Sequence, residues 1–332
     1  ASMRRIVSTG VPKGSPGRLA TARIRSAIPV ARASSSIGHP PRSRRLFREL
    51  EHPGLIVSNL TPNWFASIMG TGIVAVAAAS LPLQFPGLRT AATVVWAIAA
   101  VLLVALTIAT VLHWVRYRST AAKHHLNPVI SHFYGAPPMA FLTVGAGTIL
   151  LGKDWIGLPA AVTVDWVLWT IGTIGGLLTA VLVPYLAFTR HENTPESAFG
   201  GWLMPIVPPM VSASTGALLL PYAPAGQARE TLLWSCYGFF GLSLVASLVV
   251  ITLIWNRLAQ HKVGAAGMVP TLWIVLGSVG QSITAGNLLA SNAPTVVDAG
   301  MARALLVVAL VYGFAMLGFA LLWTVIALAI TL

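Results

Sequence analysis

Four short stretches carry the groups most able to act on a solute. They are Met69-Gly70-Thr71-Gly72, Gly135-Ala136-Pro137-Pro138, Pro205-Ile206-Val207-Pro208-Pro209 with Ser212 just beyond, and Pro270 followed by Gly277-Ser278-Val279-Gly280-Gln281-Ser282. Each mixes Gly or Pro with small hydroxyls or an amide, and none holds an ionised side chain. Proline removes a donor from a helix ladder and glycine lets another backbone come close. Thr, Ser and Gln then supply neutral O–H and N–H donors. That is the chemistry of weak recognition: backbone N–H groups and helix-end dipoles favour an anion, and the same walls would pass a neutral polar solute. Centred on 69, 138, 208 and 277, the stretches recur in steps of 69, 70 and 69 residues.

The elements that must position them are membrane helices. The chain has 332 residues, 56% hydrophobic and 9% charged, against roughly 25% charged in a soluble domain. Apolar segments at 63–80, 91–113, 134–151, 165–189, 201–220, 230–255, 268–290 and 303–331 reach or approach the ~20 residues that cross a bilayer, so about eight transmembrane helices are expected. The first has start signals: Thr61 as N-cap, Pro62 at the first helical position, Asn63 and Trp64 at the interface. The even segments, Val94–Ala109, Val167–Leu182, Leu242–Ile254 and Leu305–Ile330, are chiefly Leu, Val, Ile and Ala. The odd ones contain the four stretches. Interrupted backbone is tolerated in a membrane only inside protein or along water. The odd helices are therefore expected to gather around a central pore and the even helices to face lipid; tight packing through small residues with no pore is the competing reading.

The net charge of +13 does not mark a nucleic-acid binder, because eleven of the 21 Lys and Arg residues lie before residue 50. Residues 1–54 read as a basic, disordered tail; a transit peptide or a misassigned start also fits that composition. Beyond the tail, Arg116, Arg118, Lys123, Arg190, Arg257 and Lys262 fall on one side of the predicted spans, and Arg89, Lys153, Arg229 and Arg303 on the other. The positive-inside rule places the amino terminus in the cytoplasm, in a multi-pass plasma-membrane protein. Asp165 falls at the edge of a span, and no acid lies mid-span. Cys236, alone, allows no internal disulfide and no cysteine metal site. His113, His124, His125 and His132 surround the second loop; they read as a solvated loop, with a haem or metal site as the alternative. Trp64, Trp114, Trp155, Trp166, Trp202 and Trp255 read as an interface belt. No glycine-rich phosphate loop, nucleophile elbow or zinc-protease motif is present, and no enzyme and no cofactor is expected.

Thr61-Pro62-Asn63-Trp64-Phe65 with Met69-Gly70-Thr71-Gly72, Trp202-Leu203-Met204-Pro205-Ile206-Val207-Pro208-Pro209 and Leu276-Gly277-Ser278-Val279-Gly280-Gln281-Ser282 resemble the first, fifth and seventh helices of the tellurite-resistance/dicarboxylate transporter family. That family takes in plant slow anion channels, fungal malate permeases and fungal sulfite exporters. The resemblance runs from about residue 55 to the end. It implies ten helices as five hairpins around a central pore, usually in a homotrimer, and passive or ion-coupled anion movement. Four hairpins are seen; a fifth interruption would fall near position 346, so a fragment is expected, and no gate residue can be assigned.

The expectation is thus an all-α integral membrane protein of residues 55–332 that moves small anions: a C4-dicarboxylate such as malate, sulfite, or chloride or nitrate. The path is assigned to Met69, Gly70, Thr71, Gly72, Pro137, Pro138, Pro208, Pro209, Ser212, Gly277, Ser278, Gln281 and Ser282. A membrane redox protein using the His113–His132 cluster and a non-transporting fragment are the alternatives.

Overall fold

The computed structural model describes residues 54–332, the Leu55 side chain excepted. The basic tail lies outside the described residues. Eight principal helices follow in order: α1 (Phe65–Ser80), α2 (Leu88–Arg116), α3 (Ala136–Gly147), α4 (Leu158–Thr189), α5 (Pro208–Leu219), α6 (Gln227–His261), α7 (Ile274–Asn292) and α8 (Ala299–Thr331). A π-helical turn, Thr148–Gly152, carries α3 onward into Lys153–Ile156. Among the described residues seven helical spans are long and apolar enough to cross a membrane. The chain is an all-α integral membrane protein, as expected.

The expected eighth span is the exception. α5 has twelve residues, roughly 18 Å of helix, too short alone for a ~30 Å hydrocarbon core. Its start is set by Pro208 and Pro209, which occupy the first positions of the helix, where a missing N–H costs nothing. The segment before it, Gly200–Leu203, is 3-10 helix and almost wholly buried, so its irregular backbone is shielded from lipid.

This arrangement corrects the role assigned to proline. Pro137 and Pro138 begin α3 just as Pro208 and Pro209 begin α5, rather than kinking a helix midway. Each odd helix is preceded by 3-10 backbone, at Pro62–Trp64, Ile130–Gly135, Gly200–Leu203 and Ala266–Trp273. The end of the molecule holding these segments is called the proline end below. Thr61 does occupy the N-cap position, but its side chain bonds Asn63 rather than the helix N–H groups. The opposite end shows the same period. Gly87, Gly157 and Gly226 stand immediately before α2, α4 and α6, each with φ near +80 to +90°, a region glycine enters without a Cβ penalty. At the fourth turn Asp298 caps α8 instead, accepting from the N–H groups of Gly300 and Met301.

Helices α1–α2, α3–α4, α5–α6 and α7–α8 pack as hairpins. The odd helices also pack in sequence, α1 on α3, α3 on α5 and α5 on α7, with no comparable packing between α7 and α1. Lipid offers no hydrophobic drive toward association, so close packing and polar contacts must do the work. At the proline end, a Cβ on Gly135 would collide with the Met204 carbonyl, and one on Gly200 with that of Thr271. Each glycine thus seats its 3-10 segment against the next. Donors on the even helices then fix the odd ones. Trp96 Nε1 donates to the Val144 carbonyl (3.2 Å), Trp169 Nε1 to Ser212 (2.9 Å), Ser243 Oγ to Ile206 (2.7 Å) and Trp323 Nε1 to Leu272 (2.9 Å). Ile206 and Leu272 lie in or beside the 3-10 segments, so the even helices satisfy carbonyls that regular helix would have used.

Candidate functional site

Two adjoining cavities, of about 320 and about 370 Å³, lie among the four odd helices. They share Ile73, Thr143, Val211, Gly277 and Gln281 as walls, and so border one another. The wall follows helical periodicity. α1 turns Met69, Ile73, Val76, Ala77 and Ser80 inward; α3 turns Met139, Thr143 and Ala146; α5 turns Val211, Ser214, Thr215 and Leu218; α7 turns Ile274, Gly277, Ser278, Gln281, Thr284 and Leu288. Met69, Met139, Met204 and Trp273 gather at the proline end.

No lining residue is Asp, Glu, Lys, Arg or His. Most lining hydroxyls are already committed: Thr143 Oγ1 donates to Met139 O (2.7 Å), Thr215 to Val211 O (2.8 Å) and Thr284 to Gly280 O (3.1 Å). Ser214 Oγ lies 3.0 Å from both the Val211 carbonyl and Gln281 Oε1 and shares its one proton between them. That leaves the Gln281 N–H groups without a protein acceptor among the described residues, beside the Ser278 hydroxyl. Midway along an otherwise apolar path there is a neutral donor patch. The N-termini of α3 and α5, each led by Pro, sit toward the proline end and add the positive ends of two helix dipoles.

Of the residues assigned from the sequence, Met69, Gly277, Ser278 and Gln281 line the space. Gly70 is exposed, and a Cβ there meets nothing within 4 Å. Thr71 is half-buried away from both cavities. The others pack helices together. Gly72 approaches Thr143, Pro138 faces Gly172 and Gly175, and Pro208 abuts Gly176. Pro137 borders a small separate pocket by His113, and Pro209 is buried. Ser212 is fully buried, its hydroxyl on Pro208 O (3.2 Å), and Ser282 bonds Val279 O (2.6 Å). The missed wall residues, Ile73, Thr143, Val211 and Ser214 among them, sit one to three turns beyond each interruption. A period of 3.6 run forward from Met69, Met139, Val207 and Gly277 was the signal that finds them.

The histidines divide rather than converge. His113 is buried, with Nδ1 2.7 Å from Val57 O, and it stacks on His124 at 5.3 Å. Burial, with the His113 ring second, holds the His124 pKa below its ordinary value. His132 stacks on Trp202 at 6.0 Å and faces His191 at 6.5 Å; Trp202 is thus a packing partner rather than an interface anchor. Trp64, Trp155 and Trp255 are exposed where a belt is expected. Asp165 also differs from its expected place: it is in the third turn of α4 and fully buried, because α4 begins seven residues earlier than the apolar run suggested.

An uncharacterized transporter of Methanocaldococcus jannaschii is 27% identical over 83% of this chain and 76% of its own length. A sulfite efflux pump of Arthroderma otae is 26% identical, over 68% of this chain and 60% of that protein. A malic acid transport protein of Schizosaccharomyces pombe is 26% identical, over 69% of this chain and 49% of its own length. The chain thus spans about half to three quarters of these relatives. Residues 59–332 match the profile of the voltage-dependent anion channel family. With that match over most of its length, the chain belongs to that family of anion channels and transporters.

Proposed function

We propose that the space between α1, α3, α5 and α7 is the route of a small anion, with sulfite, malate-type dicarboxylates, chloride and nitrate as the candidate cargoes. The observation that carries this reading is the donor patch of Gln281 and Ser278 where two adjoining cavities without ionised side chains meet. Conduction needs a solute to be held well enough to enter and loosely enough to leave; neutral donors meet that condition, where a buried Lys or Arg would trap the anion. The relatives' sulfite and malic acid activities favour an oxyanion cargo.

The protein acts in the plasma membrane with the proline end facing the cytoplasm, the side on which Arg116, Arg118, Lys123, Arg190 and Lys262 lie. The family resemblance supports a homotrimer, and the apolar outer faces of the even helices offer the surface for it. The test is potential-driven flux into liposomes, with each of the four anions offered in turn. Selective uptake that falls in Gly277→Leu and Gln281→Leu supports the route. Uptake unchanged in both well-folded variants sinks it.

A further inference from the structure

Asp165 has the most demanding position of any acid among the described residues. It lies seven residues into α4, roughly 10 Å along the helix, with no exposed surface. Neither carboxyl oxygen has a hydrogen-bond partner, and it enters no ion pair. Its Oδ1 rests against the backbone of Gly145 on α3, so closely that a Cβ at 145 would collide with it. The other described acids, Asp154, Glu192, Glu196, Glu230 and Asp298, are all exposed.

The surroundings offer no counter-charge. α3, its π-helical turn and α5 contain no titratable side chain, and α4 has only Tyr185 besides Asp165. At one end of α4, Lys153 and Asp154 pack against it, Asp154 being held by Arg89. At the other end lie His124, His125, His132 and Tyr134. An isolated carboxylate buried in membrane protein is strongly disfavoured, whereas the neutral acid has an O–H that can be donated to a carbonyl of its own helix, as Thr143 does on α3. An asparagine would fill the same space without titrating; a carboxyl changes its fit to the seam with one proton.

We propose that Asp165 is a proton-binding site whose occupancy locks α3 onto α4. The residues beside Gly145 tie this seam to the path: Ala146 and Thr143 line the cavity, and the Val144 carbonyl accepts from Trp96. The π-helical turn begins at Thr148, three residues on, and such turns are frequent at functional sites and at helix kinks. With the proton bound, α3 is held and the path wall keeps its shape. When the proton leaves, the carboxylate draws water into the α3–α4 seam and that wall loosens. This inference goes beyond the anion route and is read out without it.

Two measurements on the reconstituted chain test it. Infrared spectra of the wild type at neutral pH are expected to show a protonated-carboxyl C=O band that shifts in D₂O and is lost in Asp165→Asn. Hydrogen exchange of peptides covering residues 143–152, corrected for intrinsic rates, is expected to rise with pH in the wild type and to lose that rise in Asp165→Asn. A wild type without the carboxyl band overturns the proposal, whether or not the variant folds. So does an exchange profile whose pH dependence persists in a folded Asp165→Asn. Loss of all anion flux with band and exchange response intact would instead count against the anion route and leave the proton site standing.

Discussion

The spans containing α3 and α8 are both apolar enough to cross a membrane and differ in what they touch. In the Ile130–Ile156 span 83% of the most apolar window is buried; in that of α8 none is. α8 displays Val307, Val308, Val311 and Phe314 outward, and any apolar side chain serves there because lipid tails discriminate little. α3 and the turn before it instead meet their neighbours at close range: Gly135 the Met204 backbone, Gly145 the Asp165 side chain and Gly147 the Trp96 ring. The contrast teaches that identity matters where one element packs closely on another, while only polarity matters where a helix meets lipid.

That contrast can be broken at graded strength. The largest effect is expected from Gly135→Val or Gly200→Val, since the added side chain meets a neighbouring carbonyl rather than a movable side-chain end. A loss of about 3 kcal/mol, at the upper end of overpacking costs, is expected in thermal unfolding in detergent; a variant melting as the wild type does would deny that the 3-10 segments are seated by these glycines. Next is Gly277→Leu, where a Cβ meets nothing within 4 Å. The protein should fold normally while flux drops on the order of tenfold, about 1.4 kcal/mol in barrier; normal folding with normal flux would remove Gly277 from the route. Trp169→Phe deletes the bond to Ser212 O that ties α4 to α5, for about 1 kcal/mol of stability by the same melt. Its outward counterpart Val311→Ala should move stability by less than about 0.5 kcal/mol; equal losses in the two would erase the distinction. The smallest effect is in pH. His124 has a lowered pKa in the fold, so below its ordinary 6.5 the unfolded chain gains the proton first and stability declines until the folded-state value is passed. His124→Gln should flatten that decline in melts taken across mildly acidic pH.

Much of the fold was legible in one dimension. The recurrence of breaks at 69, 138, 208 and 277 announced four hairpins, and apolar run length announced membrane spans. Run length failed at α5, because a buried 3-10 segment is as apolar as a helix and only Pro208 and Pro209 mark where the helix starts. For the site, Met69, Gly277, Ser278 and Gln281 were legible because they lie within the interruptions and face the axis. Gly72, Pro138 and Pro208 carry the same signature yet serve helix contacts, since a small residue opens space equally for a solute or for a neighbour's backbone.

By itself the sequence determined the solvent, the repeat and the absence of charge along the inner helices, because these depend on composition and period alone. Only the tertiary structure decided which face of each odd helix borders the cavity, which donors are already spent on carbonyls, and that Asp165 lies sealed against Gly145 rather than at a wet edge. Those outcomes turn on rotation and depth, and a few residues of shift in a helix start move a carboxyl from water into the protein interior.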